Sequence, residues 1–138
     1  GIHENAVYPG VPDLLWTLRA SGVTLALATT KDQTFAEQIL MDAGLLHYFW
    51  RVVGGTTDGS RVAKADLIAA VLDGVAAEAR ERAVMVGDHP LDIEGARANC
   101  LDVVAVAYGF GDPDQLRAAN PDHLIDTVPA LMQLLLGD

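Results

Sequence analysis

"VMVGDHPLDIEGARA", residues 84–98, is the stretch on which the reading of this chain turns. An apolar, β-branched run stops at Gly87, Asp88 follows at once, and Asp92 comes four residues later at the start of a helical pattern. A buried strand that ends in two carboxylates beside a proline needs something to hold that charge. The rest of the chain repeats the same rhythm. Short apolar runs occur at 23–29, 51–53, 83–86, 103–107 and 123–125. Amphipathic stretches separate them at 12–20, 33–43, 63–72, 91–99, 114–119 and 128–136. The runs are continuously apolar rather than alternating, as strands covered on both faces are. Strand–helix alternation implies right-handed crossovers and a doubly wound parallel sheet of α/β class. Pro12, Asp32 and the Pro113–Asp114 pair mark helix starts.

Composition narrows the function classes. The chain has 138 residues, 51% of them hydrophobic, which suits one packed domain over residues 1–138 and excludes disorder. A net charge of −10 argues against nucleic acid and anionic membranes as partners. The single cysteine, Cys100, allows no internal disulfide, and its expected place is a small buried site. No signal peptide or long apolar span is visible, so the expected location is cytoplasmic. Trp16 and Trp50 are expected in or beside the core.

In parallel sheets ligands sit beyond the carboxyl ends of the strands. The residues collected there are Thr29, Thr30 and Lys31, then 54–57 (Gly-Gly-Thr-Thr), then Asp88 and Asp92, then Gly109, Phe110 and Gly111. Hydroxyls and helix-start N–H groups suit a phosphate. The carboxylates would repel it unless a divalent cation lay between, and Mg²⁺ is the ion commonly shared by carboxylates and a phosphate. Each feature also has an ordinary explanation. Gly-Asp is common turn chemistry, Asp92 suits a helix N-terminus, and Lys64 reads as a solvated first-turn lysine. His89 reads as a loop histidine, and "YGFGDPD" fails the dinucleotide fingerprint for want of a third glycine.

The order of the motifs is more telling than any one of them. "LALATTK", "DGSRVAK", "VMVGDHPLDIEGARAN" and "VVAVAYGFG" together resemble the haloacid dehalogenase-like hydrolase superfamily, most of all its phosphoglycolate-phosphatase-like branch. "VYPGVPDLLWTLRASG" is similar to that branch's helix after the mobile cap, and "DHLIDTVPALMQLL" to its ending. The resemblance implies a Rossmann-like core and a Mg²⁺-dependent phosphatase of small phosphorylated metabolites, phosphoglycolate or a nucleoside monophosphate among them. It assigns phosphoryl binding to Thr29, with Thr30 beside it, and charge neutralisation to Lys64. Asp88 becomes a metal ligand, and Asp92 either a second ligand or the group that orients a metal water and Lys64. Cys100 falls where the family usually has glycine, so Asn99 is expected to supply the left-handed helix cap.

One part of the pattern is absent. The family's D-x-D-G-T motif carries the aspartate nucleophile and the general acid/base. The D-x-D here is "DPD" at Asp112–Asp114, after the wrong strand. In relatives that motif and the cap precede the position of Tyr8. The expectation is therefore a partial core: lacking its first strand and cap, inactive alone, and completed by another segment or a second chain. Strands 23–29 and 83–86 should then be separated by a strand-wide gap. The alternatives are a non-catalytic domain that binds phosphate, metal or a partner, and a 5′-nucleotidase-type enzyme of the same superfamily. Signalling receiver domains are excluded by order, since their Thr and Lys follow the phosphoacceptor.

Overall fold

A computed structural model of the protein describes residues 10–61, 63–108 and 111–137. The expected site positions Gly109 and Phe110, and the segment before Tyr8, lie outside them. The strands among the described residues are β1 (Ala26–Asp32), β2 (Arg51–Gly55), β3 (Val84–Gly87), β4 (Asp102–Val106) and β5 (His123–Ile125). The helices are α1 (Val11–Ala20), α2 (Gln33–Asp42), α3 (Lys64–Leu72), α4 (Ala77–Glu81), α5 (Pro90–Ala98), α6 (Pro113–Ala118) and α7 (Val128–Leu135). A short 3₁₀ turn lies at Leu46–Tyr48. Every strand pairing among the described residues is parallel.

β4 shows why the runs are apolar throughout. Val103 and Ala105 enter a core shared with Ile68, Ile93 and Leu116. The alternate residues Val104 and Val106 enter a second core with Leu14, Leu18, Val128 and Leu131. Successive strand side chains point to opposite faces, so a strand with helices on both sides has no polar face to offer.

The strands form two hydrogen-bonded groups, β1 with β2 and β3 with β4 and β5. Among the described residues β1 and β3 share no ladder, in line with the expected separation of these two strands. Neighbouring strands normally lie about 4.8 Å apart. Here a cavity intervenes, with Leu27 and Ala28 on one wall and Met85 and Val86 on the other.

Several local expectations are corrected. The first strand begins at Ala26 rather than Val23, because Val23 N–H donates to the Leu18 carbonyl (2.9 Å) and closes the end of α1 behind left-handed Gly22. Leu45 and Leu101 make the same closing bond to Leu40 and Ala96, both the 6→1 bond of a helix-ending motif that wants glycine one residue earlier. In α5 that position is Cys100, at φ 59° and exposed, and Asn99 stays at φ −105°. Cys100 is thus neither buried nor relieved of the left-handed role by Asn99. Trp16 (62% exposed) points away from the buried Leu14–Leu18 face of α1. Trp50 (51% exposed) stacks under the Arg51 guanidinium at 4.1 Å instead of entering the core. The short helix α4 has no counterpart among the amphipathic stretches of the sequence, being too short and polar to show a period.

Candidate active site

Thr29, Thr30, Lys31, Lys64, Asp88 and Asp92 line the cavity between β1 and β3, whose volume is about 140 Å³. They come from the ends of β1 and β3 and the first turns of α3 and α5. Residues spread along the chain from Thr29 to Asp92 are gathered because parallel strands deliver all their carboxyl ends to one edge.

Asp92 is the most committed of the six. It sits at the third position of α5 and is buried. Its Oδ2 accepts the N–H groups of Asp88 (3.0 Å) and His89 (3.1 Å). Its Oδ1 takes the Lys64 ammonium at 2.9 Å. His89 completes a reciprocal cap, its Nδ1 accepting Leu91 N–H at 3.1 Å. The expected loop histidine is therefore a capping residue, and two orphan amides of a helix start are satisfied at once. Gly87 makes this possible, since a Cβ there would run into the Asp92 carboxylate.

Lys64 is not a solvated lysine. Its Nζ also donates to the Ala28 carbonyl of β1 (3.3 Å), so one ammonium bridges the cavity from α5 to β1. Thr29 is buried, and its Oγ1 accepts Lys31 N–H at 3.2 Å. A hydroxyl that accepts one bond keeps its proton to donate to a bound oxyanion. Thr30 is exposed at the rim. Asp88 is buried at the end of β3, and the loop after β4 comes down on it so closely that a Cβ on Gly111 would meet the Asp88 carbonyl.

The β1 end is pinned by a residue that sequence reading passed over. Gln33 Oε1 accepts Gly54 N–H (2.6 Å), and its Nε2 donates to the Val52 carbonyl (2.8 Å). The side-chain amide acts as a rung where the β1–β2 register shifts between Ala28 and Asp32. Lys31, without an assigned role in the sequence, also lines the cavity, and no carboxylate among the described residues pairs with it. Its signal was its place directly after "TT". The "DPD" acids are spent elsewhere: Asp112 caps α6 through Asp114 N–H (2.9 Å), and Asp114 pairs with Arg117 (3.2 Å).

Residues 2–106 match the family model described as haloacid dehalogenase-like hydrolase. The chain belongs to that family. Within it the relatives place the chain in the phosphoglycolate-phosphatase-like branch. It is 39% identical over 137 residues to a protein named 5′-nucleotidase from Pseudomonas aeruginosa, covering 98% of this chain and 61% of that one. Over 113 residues it is 42% identical to tyrosine-protein kinase PtkA of Mycobacterium tuberculosis, covering 80% of this chain and 38% of PtkA. A phosphoglycolate phosphatase from Nitrosococcus oceani is 32% identical over 134 residues, covering 96% and 58%. The crystal structure of a predicted phosphatase from Clostridium acetobutylicum superposes with a TM-score of 0.87 at 33% identity, covering 94% of this chain and 59% of that one. The chain thus spans less than two thirds of the length of each of these relatives.

Proposed function

We propose that this member of the haloacid dehalogenase-like hydrolases carries the phosphate- and metal-binding part of a phosphomonoesterase for small phosphorylated metabolites. The nucleophile in this reading comes from a segment outside the chain, seated between β1 and β3 either in cis or from a second chain. The observation that carries the proposal is the bridge from Asp92 through Lys64 to Ala28, with Thr29 and Asp88 on the same cavity.

The donor set suits Mg²⁺. Asp88 and Asp92 are hard oxygen donors, and among the described residues no third His, Cys, Asp or Glu joins them. One or two carboxylates, completed by waters and substrate oxygens, is the usual environment of this ion. Asp88 would be the direct ligand. Asp92, with both oxygens already engaged, suits the orienting role better than direct ligation. When bound, the ion would neutralise charge on the phosphoryl oxygens. Lys64 adds a second positive charge beside them, held in place by Asp92, and Thr29 Oγ1 donates a hydrogen bond into the cavity. Fixed charges and donors of this kind are the main contribution of a protein to phosphoryl transfer.

Phosphoglycolate and nucleoside 5′-monophosphates lead the substrate list because relatives bear those names. A second reading, in which the domain binds phosphate or metal without turnover, is separated from the first by complementation. The deciding experiment measures Mg²⁺ and inorganic phosphate binding by the chain, and hydrolysis of both substrates before and after adding an upstream D-x-D segment. Binding lost in Asp88→Asn and Lys64→Ala, with turnover appearing only on complementation, supports the enzyme. Binding that survives both substitutions rejects the site.

A further inference from the structure

We infer that Asn99 is a positioning residue for Lys64, acting from the far end of the helix that carries Asp92; this rests on the phosphatase reading above. Asn99 Nδ2 donates to the Ala65 carbonyl in the first turn of α3 and to the Gly95 carbonyl of its own helix, both at 2.9 Å. Ala65 is the residue after Lys64. Asp92 and Asn99 stand seven residues apart, two turns along one face of α5. The helix therefore grips the start of α3 at two points, the ammonium of Lys64 and the carbonyl of Ala65.

The start of α3 needs such a grip. Its N-cap is Ala63, which offers no side-chain cap. Between the two grips, Gly95 lets the helices approach until a Cβ there would stand 2.9 Å from Lys64 Cγ and 3.1 Å from Ala65 N. Ala96 beside it is fully buried. A close crossing without side-chain bulk can slide unless something directional fixes its register. Asn99 supplies the two hydrogen bonds that do so. Without them the first turn of α3 loses its lateral stop, and Lys64 loses its fixed reach to Asp92 and Ala28. Asn99 is half-buried and does not line the cavity, so it acts only through Lys64.

The test follows the side-chain NMR resonances of Lys64, assigned with Lys64→Arg, in Asn99→Ala and Asn99→Asp. Arg97→Ala serves as a control, since it weakens the same helix end by breaking the Arg97–Asp122 pair (2.9 Å) on its other side. Both Asn99 variants should move Lys64 toward its position in Asp92→Asn. They should also raise the Kd for inorganic phosphate about tenfold, the lower end of what such supporting partners contribute. Arg97→Ala should do neither. A Lys64 resonance unmoved in folded Asn99→Ala overturns the inference. So does an equal shift in Arg97→Ala, or loss of fold in both Asn99 variants, which would make the role fold-wide. If the unaltered chain binds no phosphate, the phosphatase reading fails on its own account, and the Lys64 resonance still decides the role of Asn99.

Discussion

At the scale of single residues, the molecule carries a correctable strain at Cys100. A non-glycine residue in the left-handed region costs about 1–2 kcal/mol, and this one is exposed and adds nothing to the core. Cys100→Gly should therefore stabilise the protein by up to about 1 kcal/mol, after the extra freedom glycine gives the unfolded chain. A lower urea midpoint for that variant would contradict the assignment. Asp122 offers a pH test. The Arg97 guanidinium, followed by Val103 N–H (2.8 Å), holds its carboxyl below the ordinary value of 3.8. A folded value below the unfolded one means that the folded state binds fewer protons there. Its stabilisation is complete above about pH 4 and fades as the pH falls through the folded value. Asp122→Asn should flatten that part of the stability curve, and unchanged acid sensitivity would exclude it.

Whole elements show how local chemistry builds the site. Asp32 ends β1 and caps α2, accepting Thr34 N–H (3.1 Å) and Phe35 N–H (3.4 Å). Asp32→Ala should cost about 1 kcal/mol, the usual loss for a cap, read from urea denaturation. It should also loosen the strand end that carries Thr29 and Thr30, so phosphate binding should weaken with it. Elements of this kind were legible in advance because their signals lie within a few residues: Asp32, Pro12 and Pro113 each marked a real helix start. The Val23 boundary was not, because the bond that removes it from β1 belongs to the helix before it.

For the molecule as a whole, the consequence of two separate strand groups among the described residues is a pair of strand edges facing one cavity. Unpaired backbone groups shielded from water are costly, and open edges recruit other strands. The purified chain should therefore self-associate, and an extended apolar peptide ending in D-x-D should reduce that association in sedimentation measurements. A monomer indifferent to the peptide at high concentration would show that the edges are satisfied otherwise.

Much of this protein was determined by sequence alone. The parallel α/β class follows from run lengths and periodicity, and the grouping of Thr29, Lys64, Asp88 and Asp92 follows once the strands are parallel. Both are consequences of local order along the chain. What only the tertiary structure decided depends on contacts between distant segments. It made Lys64 a bridge between two halves of the cavity rather than a surface charge, committed both Asp92 oxygens, and sent Trp16 and Trp50 outward. It also brought Asn99 against Ala65 and Gln33 against Gly54. A side-chain amide has no periodicity, and its partner is known only when the helices and strands have met.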